Sequence, residues 1–240
     1  MLFRSVIFGG KAAPGYHMAK LIIRLVNAVG DVVNGDGAVG NLLKVAFVAD
    51  YRVSVAEQII PAAELSEQIS TAGTEASGTS SMKFALNGAL TIGTMDGATI
   101  EIRREVGDDN IFVFGLTADQ AQALTSGYDP GEYYRRDLEL RRALDMIRVG
   151  AFSPEDPGLF APIVQSLLEG GDRYLVLADY RAYIACQDQV ARTYRDQAAW
   201  TRKSIMNTAS MGKFSSDRTI REYADDIWAV APISVEGIDR

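Results

Sequence analysis

The chain has 240 residues, a net charge of −7, 48% hydrophobic and 23% charged residues. That is the composition of a globular protein holding one large domain, or a domain with an appended helical region. One cysteine, Cys186, excludes an internal disulfide framework and fits a reducing interior. No leader pattern follows Met1 and no apolar run is long enough to cross a bilayer, so a cytoplasmic protein away from membranes is expected.

Residues 1–73 hold six basic and six acidic groups, whereas residues 101–240 hold 17 Lys/Arg against 23 Asp/Glu. The acidic excess belongs on solvated helix faces, and without a basic stripe nucleic-acid binding is not expected.

In chain order, Val6 to Phe8 reads as a short buried strand entering the Gly9-Gly10 turn. Pro14 suits the first turn of a helix. Met18, Leu21, Ile22, Leu25, Val26 and Val29 then recur at helical spacing and form a face that packs on a sheet. Asn34 to Gly40 is a polar, glycine-rich loop, and Leu43 to Val48 is a second strand. Strand–helix–strand implies a parallel pair. His17 is the only histidine, with no partner for a triad or a metal site, and reads as structural. Asp50-Tyr51-Arg52 follows the second strand, at the end where open α/β sheets gather ligands; a plain turn with a surface arginine fits as well. Val55 to Ile60 is helical and stopped by Pro61.

The most informative stretch is Ser70 to Ile102, STAGTEASGTSSMKFALNGALTIGTMDGATIEI. Ser77 is a candidate N-cap, leaving the following N–H groups to bind an anion. Thr79 and Lys83 are four apart and share a helix face. A hydroxyl, free amides and an amine in one space outline a phosphate site with a lysine beside it; a simple capped turn with a solvated lysine is the other reading. Gly88 ends the helical run, Ala89 to Ile92 is a buried strand, and Gly93 with Asp96-Gly97 forms a turn. Ile111 to Phe114 is the last strand. Glu132 to Arg148, Leu159 to Leu168, Tyr180 to Tyr194, Ala198 to Met206 and Ser216 to Ala229 read as helices, with aromatic residues in core or docking positions.

Beyond spacing, the wording of Ser70 to Ile102 resembles the cofactor segment of the glycogen (α-1,4-glucan) phosphorylases. GGKAAPGYHMAK (9–20) and GKFSSDRTIREYADDIW (212–228) resemble the same family in the same order. The resemblance implies an α/β fold, a partial doubly wound Rossmann-like sheet forming the C-terminal half of a GT-B fold, with a helical C-terminal section. Residues 1–116 would be the cofactor-binding core and 117–240 the helical section. It further implies phosphorolysis: α-1,4-glucan and inorganic phosphate give glucose 1-phosphate and a shortened glucan, with pyridoxal 5′-phosphate as cofactor.

By the same resemblance Lys83 matches the lysine that holds the cofactor as a Schiff base. Such an amine must be uncharged to attack, which burial near a helix N-terminus favours. Tyr51 and Arg52 match residues beside the cofactor, and Thr79 and Ser80 match positions that hold its phosphate. Glu75, Ala76, Ser77 and Gly78 match the loop that binds glucose hydroxyls. An ionised carboxylate suits that task; apart from the resemblance, a helix-capping or dipole role is the alternative for Glu75.

Where the family usually has Gly-Asn before Met-Lys, this chain has Ser80-Ser81. The family's larger N-terminal portion, with basic residues for the two phosphates, has no counterpart in the sequence. Two functions are therefore expected in competition: the C-terminal portion of a phosphorylase, or a non-catalytic, cofactor-binding remnant. A nucleotide-sugar glycosyltransferase of the same fold is weaker, since it does not account for Lys83. Open apolar faces are expected, favouring association, and a homodimer is left open.

Overall fold

The computed structural model describes residues 4–233. Its first unit is β1 (Arg4–Gly9), α1 (His17–Gly35) and β2 (Leu43–Val48). The two strands pair in parallel from Arg4↔Leu43 to Gly9↔Val48. Gly30 lets α1 approach closely: a Cβ there would lie 3.4 Å from the Val45 carbonyl oxygen. Asn34 is not in a loop. It sits in the last turn of α1, where its side-chain amide donates to Val45 O at 2.8 Å and accepts from Val45 N at 3.0 Å. One amide thereby satisfies a stretch of the β2 edge that has no neighbouring strand among the described residues.

β1 was expected to be buried and is not: Ile7 and Phe8 are 53% and 42% exposed. Only Gly30 of α1 is fully buried, and Ile22 on its expected apolar face is 46% exposed. The reason is one of layers. α1 lies along this two-stranded sheet, and the described residues do not bury Ile7 or Phe8 from the other direction. Pro14 lies in a turn before the helix, and exposed His17 is its first residue.

α2 (Val53–Ile59) runs into a 3-10 turn at Ile60–Ala62 that accommodates Pro61. A second, three-stranded parallel sheet follows, ordered β3 (Leu65–Gln68), β4 (Leu90–Gly93), β5 (Phe112–Val113). α3 (Thr79–Leu86) connects β3 to β4, and α4 (Ala98–Val106) connects β4 to β5. The molecule is thus mixed α/β with parallel sheets, but the strands form two sheets rather than the single sheet expected. β2 and β3 do not pair. The two sheets are linked instead by a polar bridge from β1 to β3: Arg4 donates to Gln187 at 2.7 Å, and Gln187 and Tyr183 donate to Glu67 of β3 at 2.6 and 3.0 Å.

Beyond Ala118 the described residues form helices and turns. α5 (Ala118–Thr125) opens with a capping box made by Thr117 and Gln120. The single helix expected over Glu132 to Arg148 is two, α6 (Pro130–Arg136) and α7 (Leu138–Arg148). Asp137 leaves helical geometry between them and accepts from the N–H groups of Glu139 and Leu140. α8 (Ala161–Leu168), α9 (Val176–Arg195) and α10 (Gln197–Ala209) follow. α11 (Ser216–Glu222) then widens into a π-helical turn at Tyr223–Trp228.

The three-stranded sheet is covered on both faces. Leu90, Ile92, Phe112 and Phe114 pack with Cys186 and Val190 of α9 and Trp200 of α10. Ala85, Ile102, Val106 and Ile111 pack with Met211 in the turn after α10. Core strand β4 therefore stands as a rigid base for whatever its ends carry.

Candidate functional site

The carboxyl ends of β3 and β4 open on a cavity of about 200 Å³. Its walls include Gln68, Ser70, Glu75, Ser77, Ser80 and Asp96. The loop between β3 and α3 folds over the turn between β4 and α4, and the contacts are specific. The Asp96 carboxylate accepts from Gly73 N at 2.9 Å, Glu75 N at 2.8 Å and Ser70 Oγ at 2.8 Å. Thr94 Oγ1 donates to Ser70 O at 2.7 Å, and Ala98 N donates to Ser77 O. Gly97, at φ +47°, is required where the layers meet, since a Cβ would stand 2.8 Å from Glu75 Cγ and closer still to Ser77 O.

Burial alone would raise the pKa of Asp96, but donation from Ser70, Glu75, Gly73 and Gly97 outweighs it and holds the carboxyl below its usual range. Asp96 is ionised at neutral pH and 5% exposed.

The N-cap of α3 is Gly78, not Ser77. The chain enters the helix at φ +84°, a conformation that favours glycine. No side chain caps this helix; Ser81 Oγ turns back to donate to Gly78 O at 2.9 Å. The Ser80 hydroxyl points toward Gln68, 3.5 Å away.

The structure gathers Glu75, Ser77, Gly78 and Ser80 around one cavity. Ala76 lies in the same loop and Thr79 opens α3, both exposed and outside its lining. Lys83 departs from expectation. It is exposed and lies in the last turn of the helix, not near its N-terminus, and its amine makes no hydrogen bond or ion pair among the described residues. Tyr51 and Arg52 stand at the carboxyl end of β2, off the lining, where Asp50 ion-pairs with Arg52 and, at 3.1 Å, with Lys11. Tyr51 is half-buried against Gly9.

Asp96, Ser70 and Gln68 are site residues that sequence reasoning missed. The Asp96-Gly97 pair signals a turn, and nothing local signals that its carboxylate holds a loop more than twenty residues upstream. Among the described residues no group of His, Cys, Asp and Glu could hold a metal ion, and no helix is long and apolar enough to cross a membrane.

The profile of the family described as carbohydrate phosphorylase matches residues 1–230. The chain belongs to that family. Over 234 residues it is 58% identical to the glycogen phosphorylase of Synechocystis sp. and to the brain-form glycogen phosphorylase of Mus musculus. The muscle form of Mus musculus is 57% identical over 233 residues. Each alignment covers 97% of this phosphorylase chain, which spans only 27–28% of the length of those relatives.

The donor set fits a pyridoxal phosphate in kind. An accessible primary amine lies on the helix whose first turn carries the Thr79 hydroxyl and the unpaired N–H groups every helix start exposes. The carboxylates of Glu75 and Asp96 both belong to the cavity lining.

Proposed function

We propose that this chain is the C-terminal portion of an α-1,4-glucan phosphorylase, working in the cytoplasm as the Rossmann-like half of a GT-B enzyme. Residues 1–116 carry the cofactor site and 117–240 the helical section that supports it. The observation that supports this most is the family match over 230 residues, together with a structured loop, cavity and lysine-bearing helix at the strand ends.

In this reading Lys83 Nζ would hold pyridoxal phosphate covalently, and Thr79 Oγ1 and the Ser80 N–H would hold its phosphate. Tyr51 and Arg52, at the end of β2, would complete the residues beside it. When bound, the cofactor supplies a second phosphate group that shares a proton with the substrate phosphate. Glu75 accepts hydrogen bonds from glucose hydroxyls, and the Ala76–Gly78 backbone lines the sugar's edge. Held there, the glucosyl carbon loses its bond to the glucan oxygen, which takes a proton from inorganic phosphate. A phosphate oxygen then bonds that carbon, giving α-glucose 1-phosphate.

A second reading, a cofactor-binding fragment without turnover, is favoured by one observation. Lys83, Tyr51 and Arg52 are not gathered around the cavity, and Lys83 is open to solvent. The two part in a chimera where this chain replaces the matching segment of the Synechocystis enzyme. Glucose 1-phosphate formation from glucan and phosphate, abolished by Lys83→Ala, supports the first reading. A folded, cofactor-loaded chimera without turnover supports the second.

A further inference from the structure

We infer that Asp96 is the positioning residue of the sugar-recognising loop: its carboxylate sets the backbone course from Ser70 to Glu75 and thereby aims the Glu75 side chain. This rests on the proposed role of Glu75, but the observations behind it are independent of that role. Three donors, Ser70 Oγ, Gly73 N and Glu75 N, converge on one carboxylate from a segment 21 to 26 residues earlier in the chain.

The charge on Asp96 meets no cation among the described residues, so the loop's own donors hold it. The arrangement is also directional. Asp96 follows β4, where Leu90 and Ile92 are fully buried, whereas Gly73, Thr74, Glu75, Ala76 and Ser77 are exposed. A rigid strand end therefore imposes shape on a loop that few apolar contacts restrain. Glu75 receives this most directly, because its own N–H is held at 2.8 Å while its Cγ approaches Gly97. Asparagine in place of Asp96 would keep the volume but replace an acceptor oxygen with an N–H₂ group facing donors.

Two measurements test this. In the 240-residue chain, peptide-resolved hydrogen exchange is compared for the wild type, Asp96→Asn and the milder Ser70→Ala. Peptides over 70–78 should exchange about tenfold faster in the first variant and less so in the second, with β4 and α7 unchanged. In the chimera, Asp96→Asn should raise the KM for glucose 1-phosphate about tenfold, with kcat and borohydride-fixed cofactor on Lys83 altered far less.

Unchanged exchange at 70–78 overturns the inference, as does faster exchange with an unchanged KM. Equal loss of protection throughout, even in Ser70→Ala, makes Asp96 a residue of the fold and also overturns it. A wild-type chimera that is folded and loaded yet turns over no sugar defeats the proposed function, and the aiming role with it.

Discussion

The ring of Tyr51 lies against Gly9: a Cβ added to that glycine would stand 2.7 Å from Tyr51 Cδ2. The ends of β1 and β2 thus meet through an aromatic ring and a residue that lacks a side chain. Gly9→Ala should push the ring aside and leave the strand pairing intact. Affinity for pyridoxal phosphate should fall about three- to tenfold, or about 0.7–1.4 kcal/mol, in an absorbance titration. Wild-type affinity in that variant would remove Tyr51 from the cofactor site.

Trp200 is 7% exposed, with its ring 6.2 Å from Phe112 and 4.9 Å from Tyr194. It is the side chain by which α10 closes the three-stranded sheet. Trp200→Ala should destabilise the chain by about 3–5 kcal/mol in urea unfolding, the usual range for deleting a large core aromatic. A loss under about 1 kcal/mol would mean that the helical section is not a structural part of the sheet's core.

Asp137 separates α6 from α7. Donation from Arg181 lowers the pKa of its carboxyl, and the N–H groups of Leu140 and Glu139 add to this against an opposing effect of burial. A carboxyl depressed in the folded state stabilises fully above its unfolded value, about 3.9, and loses that contribution as pH falls further. Asp137→Ala should cost about 1 kcal/mol at neutral pH for the lost cap. The difference from wild type should vanish on acidification below about pH 4. A difference that persists into acid would assign the cost to packing.

Cys186 is buried in the same core as Trp200, and burial together with the Glu67 charge pushes its thiol up to about 11. At pH 8 it should resist iodoacetamide in the native chain and react fully in urea, read by mass spectrometry. Rapid native labelling would show that α9 detaches from the sheet.

Much of this fold is legible in the chain. Leu43–Val48 is an apolar run interrupted only by Lys44 and emerges as β2 with the expected bounds. β3 is not legible, because LSEQ has no apolar run and Ser66 is buried by its neighbours rather than by its own character. α4 hides in TIEIR, whose alternation mimics a strand until the turn at Gly97 sets it helical. At the site, the Thr79–Lys83 spacing places both on α3, but the open position of Lys83 depends on what packs around the helix. Asp96 is invisible locally, since all its loop partners are distant in sequence. The exposure of Ile7 and Phe8 likewise depends on what packs over β1 among the described residues, which composition does not report.

The most direct measurement concerns Lys83. The purified chain is incubated with pyridoxal phosphate, reduced with borohydride and digested, and the pyridoxyl mass is mapped. The expected result is a single modified site at Lys83, absent in Lys83→Ala and reduced in a Thr79→Ala variant. Labelling spread over surface lysines, or undiminished in Lys83→Ala, would contradict the assignment of this amine as the cofactor's anchor.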